Sequence, residues 1–314
     1  MEYVLLIGGL ITLILAGEAL VRGAVGVAEK FNIPTLVIGL TIVSFGTSAP
    51  ELFVSLKAAL NNHSELAIAN VIGSNIANIA LVLGVTTMIF PIAVKKSTVK
   101  IDWPIMMGAS LLFFVFILNN VIEWYEGLIF TIGIISFNVL LFWNAQRKNK
   151  KDSVEEIASE ETKQHLFINL GFIIIGSVGL AFGAGWLVDG AKVIAINFGV
   201  SEHVVGVTIV AFGTSVPELI TSVMAAIKKE TDISVGNLIG SNIFNIFGVL
   251  GITALIKELP VSEQVVHVDS LWMLAIAFLI FPLMIVGYKV NRFKGFMLFA
   301  FYCLYIYFVL SKLN

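Results

Sequence analysis

Two glutamates stand where a lipid-facing sequence should carry leucine. Glu51 lies in FGTSAPELFVS, Phe45 to Ser55, and Glu218 in FGTSVPELITS, Phe212 to Ser222. Read as a helix, the first segment puts Ser44, Thr47, Ser48, Glu51 and Ser55 on one face, because they recur at helical spacing. Pro50 has no N–H for the carbonyl one turn back, and its ring pushes that turn open. Gly46 permits the bend. Main-chain oxygens near Ser44 to Thr47 are then freed at the level of the carboxylate. Within a bilayer such oxygens are tolerated only where they face protein or a watery cavity. The second segment repeats the set with Ala211, Thr214, Ser215, Glu218 and Ser222. Further along each half, Asn70, Ser74 and Asn78, and then Asn237, Ser241 and Asn245, form stripes with a four-residue step.

The donor set decides the chemistry. Carboxylates, hydroxyls, amide oxygens and freed carbonyls make an all-oxygen site. No Cys or His lies near it, and His63, His165, His203 and His267 sit at span ends or in loops. Oxygen-only ligation suits hard cations: Ca²⁺, Mg²⁺, Mn²⁺ and, by the same hardness argument, Na⁺. Two carboxylates neutralise one divalent ion. Any one of these hydroxyls, taken alone, reads more simply as bonding back to its own helix or lining a packing surface. The acids are different. A charge at the bilayer midplane costs roughly 2.5–3.5 kcal/mol, and here that cost recurs at two equivalent positions. Glu18 and Asp189 lie near span ends, where Glu18 is expected to pair with Arg22 one turn on.

The elements that position these residues follow from composition. The chain has 314 residues, 58% hydrophobic and 13% charged, about half the charge of a soluble domain. Apolar runs long enough to cross roughly 30 Å of hydrocarbon recur throughout. The fold class is an all-α polytopic membrane protein, with spans expected at about 3–21, 36–59, 66–90, 104–121, 127–144, 166–188, 203–226, 233–256, 270–288 and 295–311. The first run is a retained helix rather than a cleaved leader, since its flank carries Glu2 and no base. With the N-terminus outside, 15 of the 19 Lys and Arg residues fall in inner loops. The positive-inside rule then places both termini outside the cell (inner or plasma) membrane. Net charge is −2, so no nucleic-acid partner is expected. The single cysteine, Cys303, allows no internal disulfide. Nothing in the sequence calls for an obligate protein partner.

A shift of 167 residues lays TIVSFGTSAPELFVS on TIVAFGTSVPELITS, and NVIGSNIANIALVLG on NLIGSNIFNIFGVLG, each with 11 of 15 positions identical. The offset needs no gap between the blocks, so the chain is a duplicated unit. Residues 1–144 form the first repeat and 166–314 the second, joined by a polar cytoplasmic loop, 145–165. Each repeat holds five spans. Five is odd, so the second copy enters the membrane inverted, the arrangement of secondary transporters with a midplane site between repeats.

The paired GTS-x-PE blocks, each followed by GSN-I-x-N, resemble the α-repeats of the cation/Ca²⁺ antiporter superfamily, and prokaryotic sodium/calcium exchangers in particular. The resemblance covers all ten spans. It implies a 5+5 inverted fold and alternating access by sliding of the first and sixth spans. It also implies that Glu51 and Glu218 share their carboxylates between Ca²⁺ and Na⁺ sites. By motif position Thr47, Ser74, Thr214 and Ser241 complete flanking Na⁺ sites, with Ser48 and Ser215 beside them. Ser44 and Ala211 contribute backbone oxygens, and Asn78 lines the middle. Potassium-dependent members carry Asp where this chain has Asn245, so exchange here is expected to be electrogenic and independent of K⁺.

The nearest alternative is H⁺/Ca²⁺ exchange on the same fold, with protons competing for the two carboxylates. A cation channel needs a continuous polar pore, whereas most spans are wholly apolar. An enzyme is not expected: the sequence offers no nucleophile with a base, no zinc signature and no phosphate loop. No cofactor is called for, since Ca²⁺ and Na⁺ are cargo.

Overall fold

The computed structural model describes residues 1–149, 160–199 and 211–311. Nine helices in it are long and apolar enough to cross a membrane. They are α1 (Glu2–Lys30), α2 (Thr35–Leu60), α3 (Ser64–Ile89), α4 (Thr98–Asn119), α5 (Trp124–Ala145), α6 (Leu166–Asn197), α8 (Thr231–Ile256), α9 (Val265–Tyr288) and α10 (Arg292–Val309). A shorter apolar helix, α7 (Val216–Ile227), stands in the place of the seventh span. The start of that expected span, 203–210, and loop residues 150–159 lie outside the described residues.

Helices overrun the apolar runs that announce them. The first continues through Arg22 to Lys30, the fifth runs on to Asn149, and the sixth begins at Glu160. The edges of the 145–165 segment are thus helical rather than loop. Hydropathy marks where lipid ends. A helix continues into water as long as its residues are helix formers.

The duplication is visible in the backbone. Left-handed residues recur 167 positions apart: Asn32 with Gly199, Asn62 with Lys229, and Asn120 with Gly287. Each follows a helix and turns the chain toward the next. Single π-type turns also recur in register, at Thr98–Asp102 and Val265–Asp269. Four short strands show the inversion directly. β1 (Ile92–Ala93) pairs antiparallel with β4 (Lys289–Val290), and β2 (Val121–Ile122) with β3 (Leu259–Pro260). α4 separates β1 from β2, so the two ribbons lie at opposite ends of the bundle. β1 and its sequence equivalent β3 therefore occupy opposite faces.

Two apolar clusters hold the molecule. The larger joins α2–α5 with α8–α10, around residues such as Ile72, Phe113, Phe130, Ile243 and Ile276. The smaller joins α1 and α6 with the ends of α2 and α7, through Leu13, Leu20, Leu180 and Val216. α3 and α8 are the most enclosed spans, 78% buried over their apolar windows against 33% for α1 and 22% for α6. The first and sixth helices share the smaller cluster and form a pair beside the body built on the larger one.

That pair meets along glycines. A Cβ at Gly176 would sit 2.6 Å from the Leu20 amide nitrogen, and one at Gly9 2.6 Å from that of Leu187. Small residues let the two backbones come into close contact along the seam. Gly176→Leu is expected to separate the helices at a cost of about 1–3 kcal/mol. It should slow Ca²⁺ flux in liposomes much more than it weakens Ca²⁺ binding in detergent. Equal losses in both would contradict a mobile seam.

Candidate cation site

α2, α3, α7 and α8 carry the repeated blocks, and their polar faces converge in the centre of the bundle. Glu51, Glu218, Thr47, Ser48, Ser215, Asn78 and Asn245 have no solvent exposure. Ser44, at 1%, and Ser74, at 2%, are nearly as enclosed, and Ser241 is fully so. Thr214 is half-buried in the short turn Ala211–Thr214, which Ala211 opens.

The two halves build this site differently. In the first, helix Ser44–Leu60 runs unbroken through Pro50, behind a π-type turn at Gly39–Val43. In the second, the helix breaks at Ser215, whose φ of −90° and ψ of 0° are not helical, and restarts at Val216. The opened turn expected at both prolines is thus found at one. Ser44 does not turn its hydroxyl toward the acids. It donates back to the carbonyls of Leu40, at 2.9 Å, and Thr41, at 3.0 Å.

Hydrogen bonding follows the same asymmetry. Ser48 Oγ donates to Glu218 Oε1 at 2.9 Å, and Ser241 Oγ reaches the same oxygen at 3.5 Å. Thr47 Oγ1 lies 3.0 Å from Asn237 Oδ1 and 3.4 Å from Ser241 Oγ. The residues equivalent to Ser48 and Ser241 are Ser215 and Ser74, and their hydroxyl oxygens have no partner among the described residues. Among the same residues neither oxygen of Glu51 has one, nor has Oε2 of Glu218. Buried carboxylate oxygens without donors are costly unless a cation meets them.

Asn78 and Asn245 are aimed by residues the stripe reading passed over. Asn78 Nδ2 donates to Asn242 Oδ1, and Asn245 Nδ2 to Asn75 Oδ1, both at 3.1 Å. Each amide is held by its nitrogen, which leaves Oδ1 of Asn78 and of Asn245 unpartnered. The crossed pairs tie α3 to α8 through the pseudo-twofold. The signal was present in the duplicated GSN triplet, whose Asn75 and Asn242 fall outside the four-residue step. Asn70, within that step, instead donates to Ser55 Oγ at 3.0 Å, and Asn237 to Ser222 Oγ at 3.2 Å. They brace the helices rather than face the acids.

Glu18 is not paired with Arg22. Its Oε1 meets Lys228 Nζ at 2.9 Å, in the turn after α7, while Arg22 lies over the Phe172 ring at 5.1 Å. A lysine from the other repeat displaces the neighbour one turn away, a contact no local pattern announces. Among the described residues there is no cluster of three His, Cys, Asp or Glu side chains. A metal held here must therefore rely on the two acids and neutral oxygens.

Comparison with known proteins agrees with this arrangement. The family model described as sodium/calcium exchanger protein matches residues 1–143 and 168–311. The sodium/calcium exchanger MaX1 of Methanosarcina acetivorans is 30% identical over 340 residues, covering 97% of each chain. Inner membrane protein YrbG of Escherichia coli is 34% identical over 262 residues, covering 80% of this chain and 79% of its own. A structure of the sodium-calcium exchanger NCX_Mj, soaked with Na⁺ and Sr²⁺, superposes with a TM-score of 0.84 at 32% identity, over 97% of both chains. The family is one of membrane transporters and not of enzymes. This chain belongs to the sodium/calcium exchanger family.

Proposed function

We propose that this protein exchanges Na⁺ for Ca²⁺ across the cell membrane by alternating access, electrogenically and without K⁺. The observation that carries the reading is the pair of buried, symmetry-equivalent acids, Glu51 and Glu218, three of whose four carboxylate oxygens have no hydrogen-bond partner among the described residues. Glu51, Glu218 and the amide oxygens of Asn78 and Asn245 would hold Ca²⁺. Thr47, Ser74, Thr214 and Ser241 would complete flanking Na⁺ positions, with Ser48 and Ser215 beside them and backbone oxygens from Ser44 and Ala211. Hydroxyl and carbonyl oxygens suit a monovalent ion that brings less charge to repay a carboxylate's desolvation. Residues 1–144 and 166–314 act as the two inverted halves, joined by the cytoplasmic 145–165 segment. The α1–α6 pair moves against the central body to expose the site to each side in turn.

Support comes from the names and soaking ions of the relatives and from the all-oxygen donor set. The deciding experiment is ⁴⁵Ca²⁺ uptake into proteoliposomes under an imposed Na⁺, H⁺ or K⁺ gradient. Uptake driven by outward Na⁺ is expected. Uptake driven by a pH gradient and not by Na⁺ would replace this reading with H⁺/Ca²⁺ exchange. Orientation is tested in a Cys303→Ala background. A single cysteine at Ser153 should be labelled only from the cytoplasm, and one at Ser262 only from outside. Labelling of both from one face would contradict the inverted topology.

A further inference from the structure

The amides of Asn78 and Asn245 belong to two longer series of hydrogen bonds, and each series starts at a methionine. Asn75 Nδ2 donates to Met273 Sδ at 3.7 Å and to the Asn242 carbonyl at 3.4 Å. Asn75 Oδ1 accepts from Asn245 Nδ2 at 3.1 Å. In the symmetry-related series, Asn242 Nδ2 donates to Met106 Sδ at 3.6 Å and to the Asn75 carbonyl at 3.4 Å. Asn242 Oδ1 accepts from Asn78 Nδ2 at 3.1 Å. Met106 and Met273 lie on α4 and α9, at the same 167-residue offset that relates the repeats. All six side chains are at most 2% exposed.

An amide keeps nearly the same shape when its oxygen and nitrogen are exchanged, so a buried asparagine needs chemistry to choose its orientation. Here the choice is made at the methionine end. A thioether and a carbonyl can only accept. They hold the nitrogen of Asn75 and of Asn242 and would repel the oxygen. Each of these residues therefore turns its oxygen to the next amide, and an oxygen can hold that amide only by its nitrogen. The edge of Asn78 and of Asn245 that the series does not use is the oxygen in both.

The orientation matters to a cation. A carbonyl oxygen attracts it and an amide NH₂ repels it, and both effects are about twice as large for Ca²⁺ as for Na⁺ at the same distance. With Asn78 and Asn245 holding the divalent ion, and hydroxyl and backbone oxygens completing the Na⁺ positions, amide orientation bears on Ca²⁺ far more than on Na⁺. We propose that Asn75 and Asn242 are positioning residues: they fix the amides of Asn245 and Asn78 oxygen-first and thereby set the preference for Ca²⁺ over Na⁺. The proposal rests on the exchange reading above, in which those two amides ligate Ca²⁺. Asn75 and Asn242 act through their neighbours and need touch no ion.

The test is ⁴⁵Ca²⁺ binding to the purified full chain, with and without Na⁺. Titration without Na⁺ gives the Ca²⁺ affinity. At trace Ca²⁺, the Na⁺ concentration that halves binding reports the Na⁺ affinity alone. Asn75→Leu roughly conserves volume and removes the acceptor that holds Asn245. It should lower Ca²⁺ affinity about tenfold, as for loss of one hydrogen-bond-like contact to a charged group, and move the Na⁺ midpoint by less than about twofold. Asn242→Leu should do the same through Asn78. Asn245→Leu should also weaken Ca²⁺ binding, and adding Asn75→Leu to it should weaken binding no further, because no amide is then left to aim. An equal fall in Ca²⁺ and Na⁺ affinity would show general damage to the site and overturn the proposal, as would additive losses in the double variant. Unchanged Ca²⁺ affinity in Asn75→Leu and Asn242→Leu, with Glu51→Gln losing Ca²⁺ altogether, would overturn the positioning role and leave the exchange reading standing. Wild-type Ca²⁺ binding indifferent to Na⁺ would strike the exchange reading itself, and this proposal with it.

Discussion

Glu51→Gln is expected to abolish Ca²⁺ exchange while leaving a folded, membrane-inserted protein. Removing one charge from a buried, desolvated site costs about 3–5 kcal/mol, or two to three orders of magnitude in affinity. Folding should survive for two reasons. Loss of a midplane charge relieves roughly 2.5–3.5 kcal/mol of insertion cost. Neither Glu51 oxygen accepts a hydrogen bond among the described residues, so the amide leaves no donor there without a partner. Glu218→Gln should lose transport equally but with a larger structural effect, because Ser48 and Ser241 both point at Glu218 Oε1. The check is ⁴⁵Ca²⁺ flux normalised to protein recovered as a single size-exclusion peak. Wild-type flux in either variant would place the site elsewhere.

The second large effect is on the electrical driving force. Ionised Glu51 and Glu218 contribute −2, and one Ca²⁺ brings the site to zero. Asn245 adds no charge, so three Na⁺ exchanged for one Ca²⁺ would bring it to +1. On that proposed stoichiometry the Na⁺-loaded form carries the net charge, and an inside-negative potential is expected to drive Na⁺ in and Ca²⁺ out. One charge through 100 mV is worth about 2.3 kcal/mol, which shifts the Ca²⁺ gradient about fiftyfold. The measurement is Na⁺-driven Ca²⁺ flux in K⁺-free liposomes, with the potential clamped by a lipophilic ion other than potassium. Flux indifferent to the potential, or present only with K⁺, would show that a third acid or a different stoichiometry sets the charge.

Much of this architecture could be read from residue types alone. The duplication, the apolar runs and the paired acids fix which helices meet and which face is polar, because burying a carboxylate in lipid leaves few alternatives. The two short ribbons were not legible, since two-residue strands leave no periodicity. Nor was the break at Ser215 against the continuous helix at Ser48. The two copies differ there by few side chains, so local residue type does not announce the break. Asn75 and Asn242 were missed for a related reason. Their role depends on an amide from the opposite repeat, and spacing within one helix cannot report a partner 164 or 170 residues away. The Glu18–Lys228 pair is the same case at one end of the bundle. What sequence hides here is contact between the halves, and the central site is built from such contacts.

The central claim is that Na⁺ and Ca²⁺ compete for one site built on Glu51 and Glu218. It is tested most directly by calorimetric titration of Ca²⁺ into the purified protein at a series of Na⁺ concentrations, with Glu51→Gln alongside. One Ca²⁺ per chain should bind in the absence of Na⁺. Its apparent affinity should fall with a power of Na⁺ concentration greater than one, and the variant should give no Ca²⁺ heat. Ca²⁺ binding that ignores Na⁺, or that persists unchanged in Glu51→Gln, would contradict the account.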